Sequence, residues 1–354
     1  MTKRSANGVN RASVVAIVGH RSVGKTSLAD LLLCTVGATR SLGRVDDGTA
    51  FMDVSAVERR RALSLWSSTA WFDRENARIS IIDVPGSSDF RFERNTAVWG
   101  SDATLLVVDE VDEVSPGALE IVAHMNRHES PVMIVINKLE TIHRHHVALP
   151  AIQRGIKRKL IYPQQPLVDE DGRLVGIVDV IRGVGVRYAL DGTGAFSEEP
   201  LTVKQAAKAL VARDVLVERV AMTDDALLER FLEEFELSNE QVYEGIRSAV
   251  ASSQLVPVLL TSAVRAIGGE QLVDAMFSWM PSSAEDAHSE LALQHITSQL
   301  DEKYGPVHWL RVVKGTIKPN EPIFPFDSCR GRQYYQLRGG RRSRATYLGP
   351  GALL

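Results

Sequence analysis

Gly19-His20-Arg21-Ser22-Val23-Gly24-Lys25-Thr26 spaces two glycines, a lysine and a hydroxyl as G-x-x-x-x-G-K-S/T. Glycines at both ends let the backbone turn tightly enough for its N–H groups to face one point, which suits phosphate oxygens. Lys25 would neutralise the β- and γ-phosphates of a nucleotide, and the Thr26 hydroxyl would take a place on Mg²⁺. This chemistry needs a fixed support. The β-branched run Val14 to Val18 just before the loop reads as a buried strand, and Leu28, Leu31 and Leu32 after it recur at helical spacing. With strand, loop and helix in that order, the stretch reads as a nucleotide-phosphate site rather than a chance Gly-rich turn.

The same pattern continues down the chain. Ile79 to Asp83, Ala103 to Asp109 and Pro131 to Asn137 read as strands, with a helical pattern from Pro116 to His128 between the last two. Strands alternating with helices and lacking tight hairpins imply an α/β fold with a doubly wound, mostly parallel sheet. Ligands of such sheets sit at the carboxyl ends of the strands, where Gly19, Asp83 and Asn137 all fall. After the first helix, Gly37 to Asp53 reads as a long loop, of a length that in compact domains is usually functional or mobile, Val54 to Arg61 as a short helix and Leu63 to Phe72 as a strand. From about Leu160 the runs become short and β-rich around the turn Asp169-Glu170-Asp171-Gly172, which suggests an inserted subdomain. Helices follow from about Thr202 to Ser252, the last opened by a capping box of Ser238 and Gln241. Val256 to Leu260 returns to a strand, Glu270 to Met280 to a helix, and the alternating run from His308 to Ile317 begins an all-β region.

Four further stretches bear on the base. Asp83-Val84-Pro85-Gly86 fits D-x-x-G, whose Asp holds Mg²⁺ through water and whose Gly backbone senses the γ-phosphate. Asn137-Lys138-Leu139-Glu140 resembles the guanine-reading N-K-x-D. Its Asn amide would face the base edge, its Lys stem would cover the ring and its carboxylate would accept from the base. Ser262-Ala263 after a buried strand resembles the loop that donates to guanine, and Ser64 is placed to supply a second hydroxyl to Mg²⁺. Asn137-Lys138 disfavours ATP, so GTP and GDP with Mg²⁺ are the expected ligands.

Composition narrows the field. The chain has 354 residues, 44% hydrophobic and 24% charged, and a formal net charge of −3, which gives no general attraction for nucleic acid or membrane. Two cysteines argue against a disulfide framework, and no run is long enough to span a bilayer, so a cytoplasmic location without membrane contact is expected. His143, His145 and His146 suit a polar helix start better than a metal site. Arg59-Arg60-Arg61 and the group Arg338, Arg341, Arg342 and Arg344 would meet RNA phosphates or remain solvated.

Taken together, the chain resembles the N-terminal part of bacterial elongation factor G, a translational GTPase. The likeness includes Gly43 to Asp53 before the switch segment, Leu174 to Asp179, Val220 to Leu228 and Gly315 to Ile317. It implies a flexible tail at 1–11, a GTP-binding domain at 12–287 with its insertion at about 160–221, and part of a β-barrel at 288–354. It also implies the ribosome, its RNA and its proteins, as partner. The departures from the family pattern fall on chemistry. Ser87 stands where the family has a His that orients the attacking water, Ser22 replaces an Asp, and Arg21 replaces a small apolar gate residue. Ser64 replaces a Thr, Ala62 a Gly, and Glu140 the guanine-reading Asp. Arg21 could serve as an arginine finger in cis, but a solvated arginine is the plainer reading. Two functions stay open: a nucleotide-holding ribosomal protein with weak or lost hydrolysis, and a slow, genuine ribosome-stimulated GTPase of the elongation or ribosome-disassembly type. Because the chain stops inside the barrel of that family, an open edge, self-association through it and no support of translocation are further expectations.

Overall fold

The computed structural model describes residues 11–52, 67–109, 116–141, 148–282, 290–301 and 305–315, with two short strands at 322–323 and 335–336. Seven strands build the central sheet: β1 (Arg11–Val18), β2 (Ser68–Arg74), β3 (Ala77–Asp83), β4 (Ala103–Val108), β5 (Val132–Ile136), β6 (Lys159–Ile161) and β11 (Leu255–Leu260). Their order is β2-β3-β1-β4-β5-β11-β6. Every neighbouring pair is parallel except β2 with β3. Those two form a tight hairpin through Glu75-Asn76, with Glu75 in the left-handed region at φ +52°. The sequence reading expected no such hairpin, because its turn carries neither glycine nor proline.

Strand period decides which residue meets which layer. Val15 and Ile17 of β1 face α1 (Lys25–Thr35), sharing one core with Leu28, Leu31 and Leu32. Val14, Ala16 and Val18 face the other side, sharing a core with Ala97 and Val98 of α2 (Arg91–Trp99) and with Ile121, Val122 and Met125 of α3 (Pro116–His128). Ile152 of α4 (Ala148–Gly155) completes that second layer. Each of these leucines and isoleucines contributes about 1.5–3 kcal/mol by leaving water. The phosphate loop is thus carried on a strand buried on both faces.

The inserted residues form a sheet of their own. Strands β7 (Gln164–Val168), β8 (Leu174–Asp179), β9 (Val184–Tyr188) and β10 (Phe196–Pro200) run antiparallel in the order β10-β9-β8-β7. Gly172 N–H bonds Asp169 O at 3.0 Å in the expected turn. Lys159–Ile161, by contrast, pairs with β11 at the edge of the main sheet. Three helices follow: α5 (Val203–Ala221), α6 (Asp225–Glu234) and α7 (Asn239–Ala251). Ser238 and Gln241 close a capping box at the last, and Thr202 and Gln205 close another at α5. Ile177, Val186 and Tyr188 of the insertion pack with Leu139, Leu260 and Ile267, so the added sheet buttresses the loops that end β5 and β11.

After α8 (Gly269–Trp279), strands β12 (Ala292–Asp301) and β13 (Gly305–Lys314) form an antiparallel hairpin. It seats on the end of α2. Ile296 packs on Gly100, Gln294 Nε2 donates to Trp99 O at 3.4 Å, and Arg311 pairs with Asp102 and donates to Gly100 O at 3.0 Å. Strand β12 was not read from the sequence. A last short pair joins β14 (Pro322–Ile323) to β15 (Tyr335–Gln336). Among the described residues no helix is long and apolar enough to cross a membrane.

Candidate nucleotide-binding site

The carboxyl ends of β3, β1, β4, β5 and β11 lie in a row at one edge of the sheet because these neighbours run parallel, and their following loops make one cluster. Gly24 opens α1 at φ +88° with no side-chain cap, leaving the first-turn N–H groups to the loop's interior. Lys25 is buried, and its Nζ donates to His20 O at 3.0 Å. Burial lowers its pKa, partly opposed by the nearby Asp83 carboxylate and reinforced by the Arg94 charge. A buried ammonium resting on a carbonyl is a site that gains by receiving an anion.

Thr26 Oγ1 donates to Asp83 Oδ2 at 2.7 Å, which joins the phosphate loop to the end of β3. The Asp83-Val84-Pro85-Gly86 turn closes over the loop. A Cβ on Gly86 would come within 2.3 Å of Lys25 Nζ and 2.9 Å of Arg21 N, so only glycine permits that approach. His20, Arg21 and Ser22 are exposed and Val23 is buried. Ser22 adopts φ +66°, an uncommon backbone for a non-glycine residue.

Asn137 does more than the sequence indicated. Its Nδ2 donates to Val23 O at 3.0 Å, and its Oδ1 accepts from Ala263 N at 3.0 Å and Thr261 Oγ1 at 3.2 Å. One carboxamide therefore ties the phosphate loop to the loop after β11. Glu140 sits in the 3₁₀ turn Leu139–Thr141, and its Oε2 accepts from Ser262 Oγ. Lys138 has φ +61° and pairs with Asp109 at 2.8 Å. Ser262 is fully buried, and its backbone bridges to Ile267.

Ser87 is half-buried at the start of the 3₁₀ turn Ser88–Phe90. Its Oγ donates to Asp89 Oδ2 at 3.2 Å and accepts from Asp89 N at 3.4 Å, a local cap of that turn. Ser64 lies outside the described residues, as do Arg59 to Arg61, the helix expected at 54–61, His143 to His146 and Arg338 to Arg344. The structure thus brings together Gly19 to Thr26, Asp83, Gly86, Asn137, Lys138, Glu140, Ser262 and Ala263.

Sequence reasoning missed two members of this cluster and one residue that anchors a neighbouring loop. Thr261 and Asp109 directly follow strands β11 and β4, so the strand-end rule alone would have marked them. Asp30 on α1 carried no such signal. Its buried carboxylate accepts from Phe51 N at 2.8 Å and Met52 N at 3.3 Å, anchoring the loop that leads toward the expected switch segment. Burial raises its pKa, and those two backbone donors partly restrain the shift.

The donor set fits a polyphosphate with a divalent cation. A buried ammonium and an uncapped helix start face the anion, and a hydroxyl beside a buried carboxylate suits Mg²⁺. Residues 10–282 match the Elongation factor Tu GTP binding domain. The chain is 30% identical over 328 residues to Ribosome-releasing factor 2, mitochondrial, of Bos taurus, covering 87% of this chain and 42% of that protein. The protein of the same description from Rattus norvegicus is 29% identical over 328 residues with the same coverage. The crystal structure of ttk003000868 from Thermus thermophilus superposes with a TM-score of 0.82 at 25% identity, covering 97% of this chain and 52% of that one. The chain spans less than half the length of these curated relatives.

Proposed function

Since the chain belongs to the family of translational GTPases with the elongation factor Tu GTP-binding domain, and is elongation factor G-like, we propose that it holds GTP and GDP at the ribosome and hydrolyses GTP slowly or not at all. The description of its relatives as ribosome-releasing factors supports the ribosome as the place of action. Lys25 and the backbone of Gly19 to Thr26, together with Gly86, would hold the phosphates. Thr26 and Asp83, joined by Ser64, would hold Mg²⁺, which when bound neutralises phosphate charge. Asn137, Lys138, Glu140, Ser262 and Ala263 would read guanine.

One observation carries the impaired chemistry. The Ser87 hydroxyl is engaged with Asp89, and its side chain is too short to reach and polarise a water as an imidazole would. A positioned acid–base group contributes about 10²–10⁴-fold, so its loss lowers hydrolysis steeply. The test is multiple-turnover GTP hydrolysis by the chain with and without ribosomes. Turnover near background in both, raised by Ser87→His or by Ser87→His with Ser22→Asp, supports the proposal. Strong ribosome stimulation of the unmodified chain would replace it with the slow-GTPase reading; the intact Lys25, Thr26 and Asp83 support nucleotide binding under either.

A further inference from the structure

The register of β4 and β5 sets up a contact outside the phosphate, metal and base sets. Val108 pairs with Ile136, and Asn137 N–H still reaches Val108 O at 2.8 Å. One residue further both chains have left the sheet, and Lys138 has turned into the left-handed region. There its Nζ lies 2.8 Å from Asp109 Oδ2, with the carboxylate only 15% and the lysine 32% exposed. A partly buried pair of this kind is screened by salt less than one on the open surface.

Lysine loses more rotamer freedom on ordering than almost any other side chain. A free Lys138 would bear that cost each time a base docked against its methylene stem. An ammonium already anchored by a carboxylate has met it during folding, and binding that follows is correspondingly tighter. The anchor also keeps the charged head at one end, so that the stem presents an apolar flank.

Resting on the guanine reading of Asn137 to Glu140, we propose that Asp109 is a positioning residue for base recognition, clamping the head of Lys138 so that its stem is set to cover the purine. Asp109 contributes nothing to the phosphates in this arrangement. Its removal weakens ligands that carry a base and spares those that do not.

The experiment uses the full chain and a fluorescent GDP, displaced in turn by GDP, ADP and inorganic pyrophosphate. Asp109→Asn keeps the size of the side chain and removes its charge. It should weaken GDP about tenfold, the scale of one charge-assisted contact, and leave pyrophosphate within about twofold. In a Lys138→Met background the same substitution should add no further loss, since the pair is already broken. Retained pyrophosphate binding reports that the phosphate loop is folded in every variant. Unchanged GDP affinity in Asp109→Asn, equal losses for GDP and pyrophosphate, or full additivity with Lys138→Met would each overturn the proposal. If the unmodified chain binds GDP no better than ADP, the guanine reading itself fails and this inference falls with it.

Discussion

Truncating Asn137 to alanine tests how the site is held together. The carboxamide has 2% residual exposure, and the groups it serves on Val23, Thr261 and Ala263 belong to residues no more than 4% exposed, so water does not stand in for it. Alanine leaves Val23 O without its 3.0 Å donor and Ala263 N without its 3.0 Å acceptor. The Thr261 hydroxyl also loses its 3.2 Å acceptor and is left out of this minimum count. Each buried unsatisfied group costs about 1–3 kcal/mol, so the two together cost about 2–6 kcal/mol. Against a total stability of about 5–15 kcal/mol this is a large fraction. Urea denaturation of the nucleotide-free chain, followed by circular dichroism, should show a lower midpoint at an unchanged slope. Asn137→Asp should be no better, because it keeps the acceptor but turns a carboxylate toward Val23 O. A loss below about 0.5 kcal/mol, the range of ordinary surface substitutions, would refute the argument that this side chain latches the loops.

Three other outcomes follow from the same geometry. Gly24→Ala should abolish tight GDP binding, since its Cβ would fall 2.4 Å from Asn137 Nδ2 on a backbone at φ +88°; calorimetric GDP titration with near-normal affinity would contradict this. The raised pKa of Asp30 means that its ionised form is disfavoured in the fold, so its contribution is fully present below the ordinary aspartate value of about 3.9 and is lost as pH rises through the folded pKa. Urea midpoints of Asp30→Asn should lack that decline, and an identical pH profile in both proteins would exclude Asp30 as its source. Lys25 has a pKa lowered by burial, and bound phosphate favours its charged form, so GDP binding should take up a proton at alkaline pH and weaken as pH rises there. Titrations in buffers of different ionisation enthalpy measure that uptake directly, and its absence would remove Lys25 from the phosphate contacts.

The sequence was sufficient wherever the determining interaction is local. Val14 to Val18, Gly19 to Thr26 and Leu28 to Leu32 specify strand, loop and helix within one short segment, through β-branching, glycine spacing and helical periodicity. The helix from Pro116 to His128 and the capping box of Ser238 and Gln241 are legible for the same reason. The parallel sheet followed from the alternation of such segments, which also marked Gly19, Asp83 and Asn137 as strand ends. The hairpin of β2 and β3 escaped because Glu75-Asn76 carries neither glycine nor proline, and its seven-residue pairing became visible only in the fold.

Only the tertiary structure decided what those strand ends do to one another. Asn137 joins Val23 and Ala263, which are 114 and 126 positions away, and nothing in its own neighbourhood encodes either bond. Glu140 meets Ser262 only because the registers of β5 and β11 stop level with each other, and Asp109 meets Lys138 because β4 and β5 do the same. Asp30 is a helix residue like any other until the loop at Phe51 folds back over it and presents two N–H groups. A motif states which groups chemistry requires. Register and burial determine which partner each group finds, because a buried polar atom must be satisfied by whatever the packed chain brings within about 3 Å of it.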